Sequence, residues 1–156
     1  MINPRFATVI EELDPAFQRL LAMPAVKPLA LPKDAPASGV YLFSESARPL
    51  YVGRSNRIRK RLSNHCRKSA THRMAAFAFR LAREMTNNLN ATYTTEGSRR
   101  ELMAIPKFTK AFEEAKARIR EMDVRYVEET DPTRQCVLEI YVAVALQTPY
   151  NDFDTH

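Results

Sequence analysis

Two tyrosines, Tyr41 and Tyr51, precede a run that holds Arg54, Arg57, Arg61 and His65, and a solitary glutamate, Glu139, lies far downstream. Phenols, guanidinium groups and an imidazole in one short segment suit a phosphate. The planar fork of arginine matches pairs of phosphate oxygens, and a histidine can change charge near neutral pH. On a helical wheel at 100° per residue, Arg54, Arg61 and His65 fall within about 40° of one another and Arg57 about 60° to one side. One helix face is expected to carry them.

Glu139 poses a different question. From Gln135 to Tyr150 it is the only ionisable group apart from tyrosine and cysteine, in a stretch apolar on nearly every face. Withdrawing an isolated carboxylate from water costs several kcal/mol, so a compensating partner is required. Two partners fit: an arginine of the basic helix, or a hard divalent cation whose remaining positions are filled by water and phosphate oxygens.

The elements that must position these groups can be read from pattern. Gly39–Phe43 and Leu50–Gly53 are rich in aromatic and β-branched residues and read as a β-hairpin, with a six-residue polar connector carrying Pro49. Tyr41 and Tyr51 share a face only if the pairing sets them opposite or an even number of residues apart. A helix follows, with Ser55 or Asn56 as cap and Ile58 and Leu62 on its apolar side. Val124–Val127 alternates and reads as a third strand. Asp131 as cap and Pro132 in the first turn open a last helix that runs to about Leu146.

Gly39-Val40-Tyr41 and Tyr51-Val52-Gly53, with Arg61 ten residues after Tyr51, resemble the paired motifs and arginine of the GIY-YIG nuclease superfamily. Val40 and Val52 stand where that pattern has isoleucine. The resemblance runs over 39–65 and again over 124–152. It implies a metal-dependent phosphodiester hydrolase, in which Tyr41 is the general base and Tyr51 orients the water or donates to the scissile phosphate. Arg61 would hold a non-bridging oxygen, and Glu139 would carry a single Mg2+ or Mn2+. Asn151 occupies the late asparagine's place. His65 would hydrogen-bond a phosphate or Tyr51, or act as base in place of Tyr41. Arg54 stands where many members have lysine or another cation. An unperturbed phenol, with a pKa near 10, is a poor base at neutral pH, so neighbouring cations would have to favour the phenolate.

The fold expected is α+β: a small three-stranded, largely antiparallel sheet flanked by helices. It would form one domain over 1–156, with an N-terminal helical arm and proline-rich linker (1–37) and a helical insertion (67–121). Within the arm, Phe6, Val9, Ile10 and Leu13, then Phe17, Leu20 and Leu21, predict two short amphipathic helices. Within the insertion, a helix is expected over Thr71–Glu84 with Met74, Phe77, Leu81 and Met85 on one stripe, then a polar loop over Asn87–Thr95. A capping box at Ser98-Arg-Arg-Glu101 comes next, with a break at Pro106 and a helix over about Lys107–Glu121.

The 156 residues carry a net charge of +6, and eleven Lys or Arg with no acid lie between Glu45 and Glu84. That is the electrostatic footprint of a polyanion-binding surface, with Arg54, Arg57, Lys60, Arg61, Arg67 and Lys68 as candidate contacts. DNA is the expected partner, with RNA left open and target choice falling to the insertion, to DNA structure, or to a partner subunit or homodimer. Cys66 and Cys136 show no metal spacing. No 18-residue apolar run and no basic-then-apolar leader occur, so no membrane partner is expected and a reducing cytoplasmic location is. His72, Asp152, Asp154 and His156 are expected to be surface residues without a metal or catalytic role. The rival readings are a nucleic-acid-binding module that keeps this fold without cutting, and an interaction protein with an acidic partner.

Overall fold

Strand-forming residues on both sides of a tight turn build the centre of the chain, seen in a computed structural model that describes residues 1–87 and 98–153. Strand β1 (Gly39–Glu45) pairs antiparallel with β2 (Arg48–Ser55) and, on its other side, with β3 (Asp123–Glu128), giving the order β2-β1-β3. The architecture is the expected mixed α+β one, with α1 (Pro4–Glu11), α2 (Leu13–Ala22), α3 (Ile58–Cys66), α4 (Ala76–Met85), α5 (Arg99–Met103), α6 (Pro106–Arg120) and α7 (Pro132–Leu146). The chain divides into two compact units, Met1–Arg59 with Met122–His156, and Lys60–Glu121.

In the first unit one face of the sheet, Val40, Leu42, Val52 and Val127, closes a core with Leu13, Ala16 and Leu20 of α2 and Leu138, Val142 and Ala143 of α7. The N-terminal arm therefore supplies part of this core. Tyr141 of α7 seals it by stacking edge-on against Phe17 at 5.5 Å and donating to Asp14. Both outer strands are covered. Val26, in the proline-rich segment, exchanges two backbone hydrogen bonds with Val124, so that segment shields the edge of β3. Arg59 steadies the same segment by donating to the carbonyls of Leu31 and Pro32.

The hairpin differs from expectation in a way that matters. Its turn is only Ser46-Ala47, both at positive φ (50° and 65°), and the strands run on to Glu45 and from Arg48. Such a two-residue turn matches the twist of the strands it joins. Pro49 thus sits within β2, where a register shift beside Ser44 and the edge position remove the need for its N–H. At the far end the ladder continues to Gly39 opposite Ser55, which keeps Arg54 in the strand. Helix α3 begins only at Ile58, so Arg54 and Arg57 lie outside it and the single helical face expected to hold them with Arg61 and His65 does not form.

The second unit is helical. Phe108, Ala111, Phe112, Ala115 and Ile119 make the buried side of α6, as their spacing predicts. Phe79 of α4 packs against Phe108 at 5.0 Å. Ser98 accepts from the backbone N–H of Glu101, the first half of a capping box, and α5 stops before Pro106 opens α6. Helix α4 starts at Ala76 rather than Thr71, so Met74 falls before it, and both Met74 and Met85 are exposed while Phe77 and Leu81 are buried. Residues 88–95 of the expected polar loop, with Asp154 and His156, lie outside the described residues.

Candidate active site

Four successive residues of β2, Tyr51 to Arg54, each meet a different group. The register places Tyr41 opposite Gly53 and Phe43 opposite Tyr51. Tyr41 and Tyr51 are therefore an even number of residues apart and share one face, turned away from the α2–α7 core. Phe43 bridges them, its ring 5.9 Å from Tyr41 and 6.5 Å from Tyr51. Tyr41 is closed off at 1 % exposure and Tyr51 is half-buried.

Gly53 explains where the Tyr41 phenol goes. A Cβ at position 53 would collide with the Tyr41 hydroxyl and Cζ, so the glycine is a seat for the phenol end of the ring. The hydroxyl thereby reaches across from β1 onto the strand at the edge of the ladder. Gly39 has a different necessity, because a Cβ there would strike the Val127 carbonyl of the neighbouring strand.

Asn151 holds β2 from outside. Its side-chain amide accepts from the N–H of Val52 at 2.8 Å and donates to the carbonyl of Val52 at 2.8 Å. One carboxamide thus imitates a strand partner and satisfies both backbone groups of a buried residue. Thr148 donates to Asn151 Oδ1, and the Tyr150 N–H donates to the Leu50 carbonyl, which extends the clip by one residue.

Arg54 completes the set. Opposite Val40, it lies on the core face of the sheet, and its Nε is 3.1 Å from Glu139 Oε2 of α7. Burial raises the pKa of Glu139 above the ordinary glutamate value, and the charge and hydrogen bond of Arg54 oppose that rise. The partner anticipated from the basic helix is thus a strand arginine. Among the described residues no group of three His, Cys, Asp or Glu could enclose a metal ion. A hard divalent cation that keeps most of its waters can take a single protein carboxylate, and Glu139 of α7, part-desolvated beside Arg54, has the chemistry of such a donor.

Arg61 and His65 belong to the helical unit. Arg61 Nη1 donates to the Met74 carbonyl at 3.0 Å, which occupies one of its five N–H groups. His65 is fully buried and packs edge-on to Phe77 at 6.4 Å. Burial, then the charge of Arg61, holds its pKa well below the ordinary value, so it is neutral at physiological pH. Of the expected polyanion contacts, Arg54, Arg57, Lys60 and Lys68 are exposed, and Arg67 is half-buried with its Nη2 3.5 Å from Met74 Sδ. Asp152 is exposed and His72 half-buried.

The sequence predicts that Asn151 hydrogen-bonds and fixes another part of the site; its partner, the Val52 backbone, and the close approaches at Gly39 and Gly53 are what the spacing of residue types does not reveal. Glycine inside a strand is the available signal, since it marks close approach by something else. No helix of the described residues is long and apolar enough to cross a membrane.

The model of the GIY-YIG catalytic domain matches residues 37–151, a span that takes in both tyrosines, Arg61, Glu139 and Asn151. A search of curated proteins and one of solved structures returned no match. With most of its length in that match, the chain belongs to the GIY-YIG family of nuclease catalytic domains.

Proposed function

We propose that this chain is a metal-dependent DNA endonuclease that hydrolyses phosphodiester bonds at the β2 edge. The observation that carries the reading is what β2 gathers within residues 51–54: on one face the Tyr41 hydroxyl over Gly53 and the Tyr51 phenol two residues away, on the opposite face the Glu139–Arg54 pair, and at the edge Asn151 clamped to Val52. A binding surface alone has no need of a carboxylate drawn partly out of water on the strand that also meets two phenols.

Hydrolysis requires an activated water, relief of charge at phosphorus and a stabilised leaving oxygen. Tyr41 takes the proton of the attacking water. Its ring is enclosed, and the hydroxyl end seated over Gly53 is where that water has to reach it. Tyr51, the more accessible phenol, orients the water or donates to the phosphate. Arg61 keeps N–H groups beyond the one spent on Met74, enough to grip a non-bridging oxygen. Glu139 is the residue that would hold Mg2+ or Mn2+, and a bound cation would offset charge on the phosphate and on the departing 3′-oxygen. Arg54 holds the Glu139 carboxylate in place on the strand. His65, neutral and without exposed surface, serves as packing for α3, which leaves the base to Tyr41. Asn151 positions β2 without touching the reacting atoms.

Incubation of supercoiled plasmid with the protein in Mg2+, and in parallel with EDTA, tests this. Nicked and linear products are expected with Mg2+ and none with EDTA. Salt-sensitive binding of the plasmid without any cleavage would overturn the enzyme in favour of a non-cutting binding module.

A further inference from the structure

Formal charge is divided unevenly between the two units. Lys60–Glu121 holds fourteen of the 24 Lys and Arg and six of the 18 acids, a formal +8, which leaves −2 on the unit that carries β2. Within the helical unit the charge is concentrated further. The guanidinium carbons of Arg83 and Arg99 lie 5.0 and 4.9 Å from the centre of one ring, Phe79. Arg99 also donates to the His72 carbonyl at 3.2 Å, which ties α5 to the turn before α4.

Arginine stays protonated at any ordinary pH, so this crowd cannot relieve itself by losing charge. Together with burial, the crowding registers in two groups. Burial, then Arg99 and Arg80, lowers the pKa of Arg83; burial, then Arg73 and Arg99, lowers that of His72. Glu84, Glu96 and Glu101 are the acids nearby in sequence, fewer than the five arginines at 73, 80, 83, 99 and 100. Arg73, Arg99 and Arg100 are exposed, whereas Arg83 is 5 % exposed and serves to hold the cluster together on Phe79.

We propose that the face formed by Arg73, Arg80 and Arg99, continued along the chain by the exposed Arg100, is a docking surface for the phosphate backbone of duplex DNA, separate from the residues that carry out hydrolysis. The proposal rests on the reading of the chain as a nuclease and adds to it the part of the protein that grips the substrate. Fixing the Arg99 guanidinium on a buried ring presents it without the loss of freedom that a long side chain otherwise suffers on binding. Backbone contacts of this kind set affinity and its salt dependence and carry no sequence information.

The test is fluorescence anisotropy with a labelled linear duplex in EDTA, where nothing is cut, across a series of KCl concentrations. The variant Arg73→Gln/Arg99→Gln/Arg100→Gln is expected to bind at least about tenfold more weakly and to flatten the slope of log K against log salt by roughly 0.9 for each phosphate it no longer neutralises. The corresponding triple Lys variant should keep the slope. Arg5→Gln/Arg19→Gln, which removes charge from the other unit, should also keep it. If the triple Gln variant loses its helical circular dichroism, the Arg73→Gln/Arg100→Gln double variant, which spares the Arg99 contacts, must still flatten the slope by about 1 to 2. Wild-type protein that binds duplex while these variants bind with unchanged affinity and slope would overturn the docking surface and leave the nuclease reading standing. Failure of the wild type to bind duplex at all would overturn both.

Discussion

The sheet unit and the helical unit solve opposite problems with their polar groups. In the sheet unit the strand edges are the exposed liability, and neutral groups close them: the Asn151 amide on Val52, and the Val26 backbone on Val124. Cations tie backbone carbonyls in both units, Arg59 to Leu31 and Pro32 and Arg125 to Met23 in the sheet unit, but in the helical unit one of them is drawn fully inside. Lys116, at 1 % exposure, donates to the carbonyls of Lys68 and Ala70 while lying over Phe112, and Arg120 donates to the Cys66 carbonyl. A basic sequence is thus spent in two ways, some cations inward on carbonyls or on a ring and the rest outward. The sheet unit, at −2, concentrates its chemistry on one strand edge instead.

Substitutions that address one unit at a time break this comparison if it is wrong. The largest effect on cleavage outside Glu139 is expected for Arg61→Lys, which keeps the charge and loses the fork; a fall of about 10²- to 10³-fold in single-turnover rate is expected. Turnover at the normal rate would remove Arg61 from the mechanism. Gly53→Ala and Gly39→Ala separate chemistry from architecture within the sheet unit. At position 53 the new methyl displaces the end of a side chain, so cleavage should fall by roughly 100-fold with a stability loss of about 1–3 kcal/mol. At position 39 it meets backbone, and a loss of about 3 kcal/mol or more should show in urea titration. Equal behaviour of the two variants would contradict the seat assigned to Tyr41.

Asn151→Ala should cost about 1–3 kcal/mol, because the buried Val52 N–H loses its acceptor. A thermal midpoint equal to wild type would show that the clip is dispensable. The smallest effect concerns pH. His65 has a folded pKa below the unfolded value of about 6.5, so its contribution is complete above that pH and lost as pH falls below it. Stability should drop by up to about 1.4 kcal/mol per pH unit there, and His65→Gln should show a flatter profile over the same range. An unchanged profile in that variant would assign the acid sensitivity to other groups.

Structure was legible in the sequence where one periodicity governs the outcome. Alternation in β1 and β2 gives a shared face for Tyr41 and Tyr51 once the register is even, and the buried side of α6 follows from its spacing. Pattern misleads where tertiary pairing decides. Arg54 fits a helical wheel with Arg61, yet pairing of Gly39 with Ser55 holds it in a strand. The Ser46-Ala47 turn contains neither glycine nor asparagine, the residues that ordinarily mark positive φ, so nothing in the segment narrows the turn to two residues. Arg59 counts as one more cation in a charge run until the chain folds and its guanidinium meets the Leu31 and Pro32 carbonyls. The Arg54–Glu139 pair joins elements remote in sequence, and composition could say only that Glu139 needs some partner.

The chemistry proposed for β2 depends on Glu139 as the carboxylate of its hydrolytic centre. The most direct measurement is the single-turnover cleavage rate of Glu139→Gln in Mg2+, taken with its duplex affinity in the same buffer. A loss of at least about 10³-fold in rate with affinity held within about twofold is predicted, since the grip on DNA lies elsewhere. Cleavage at the wild-type rate would contradict a hydrolytic role for this carboxylate.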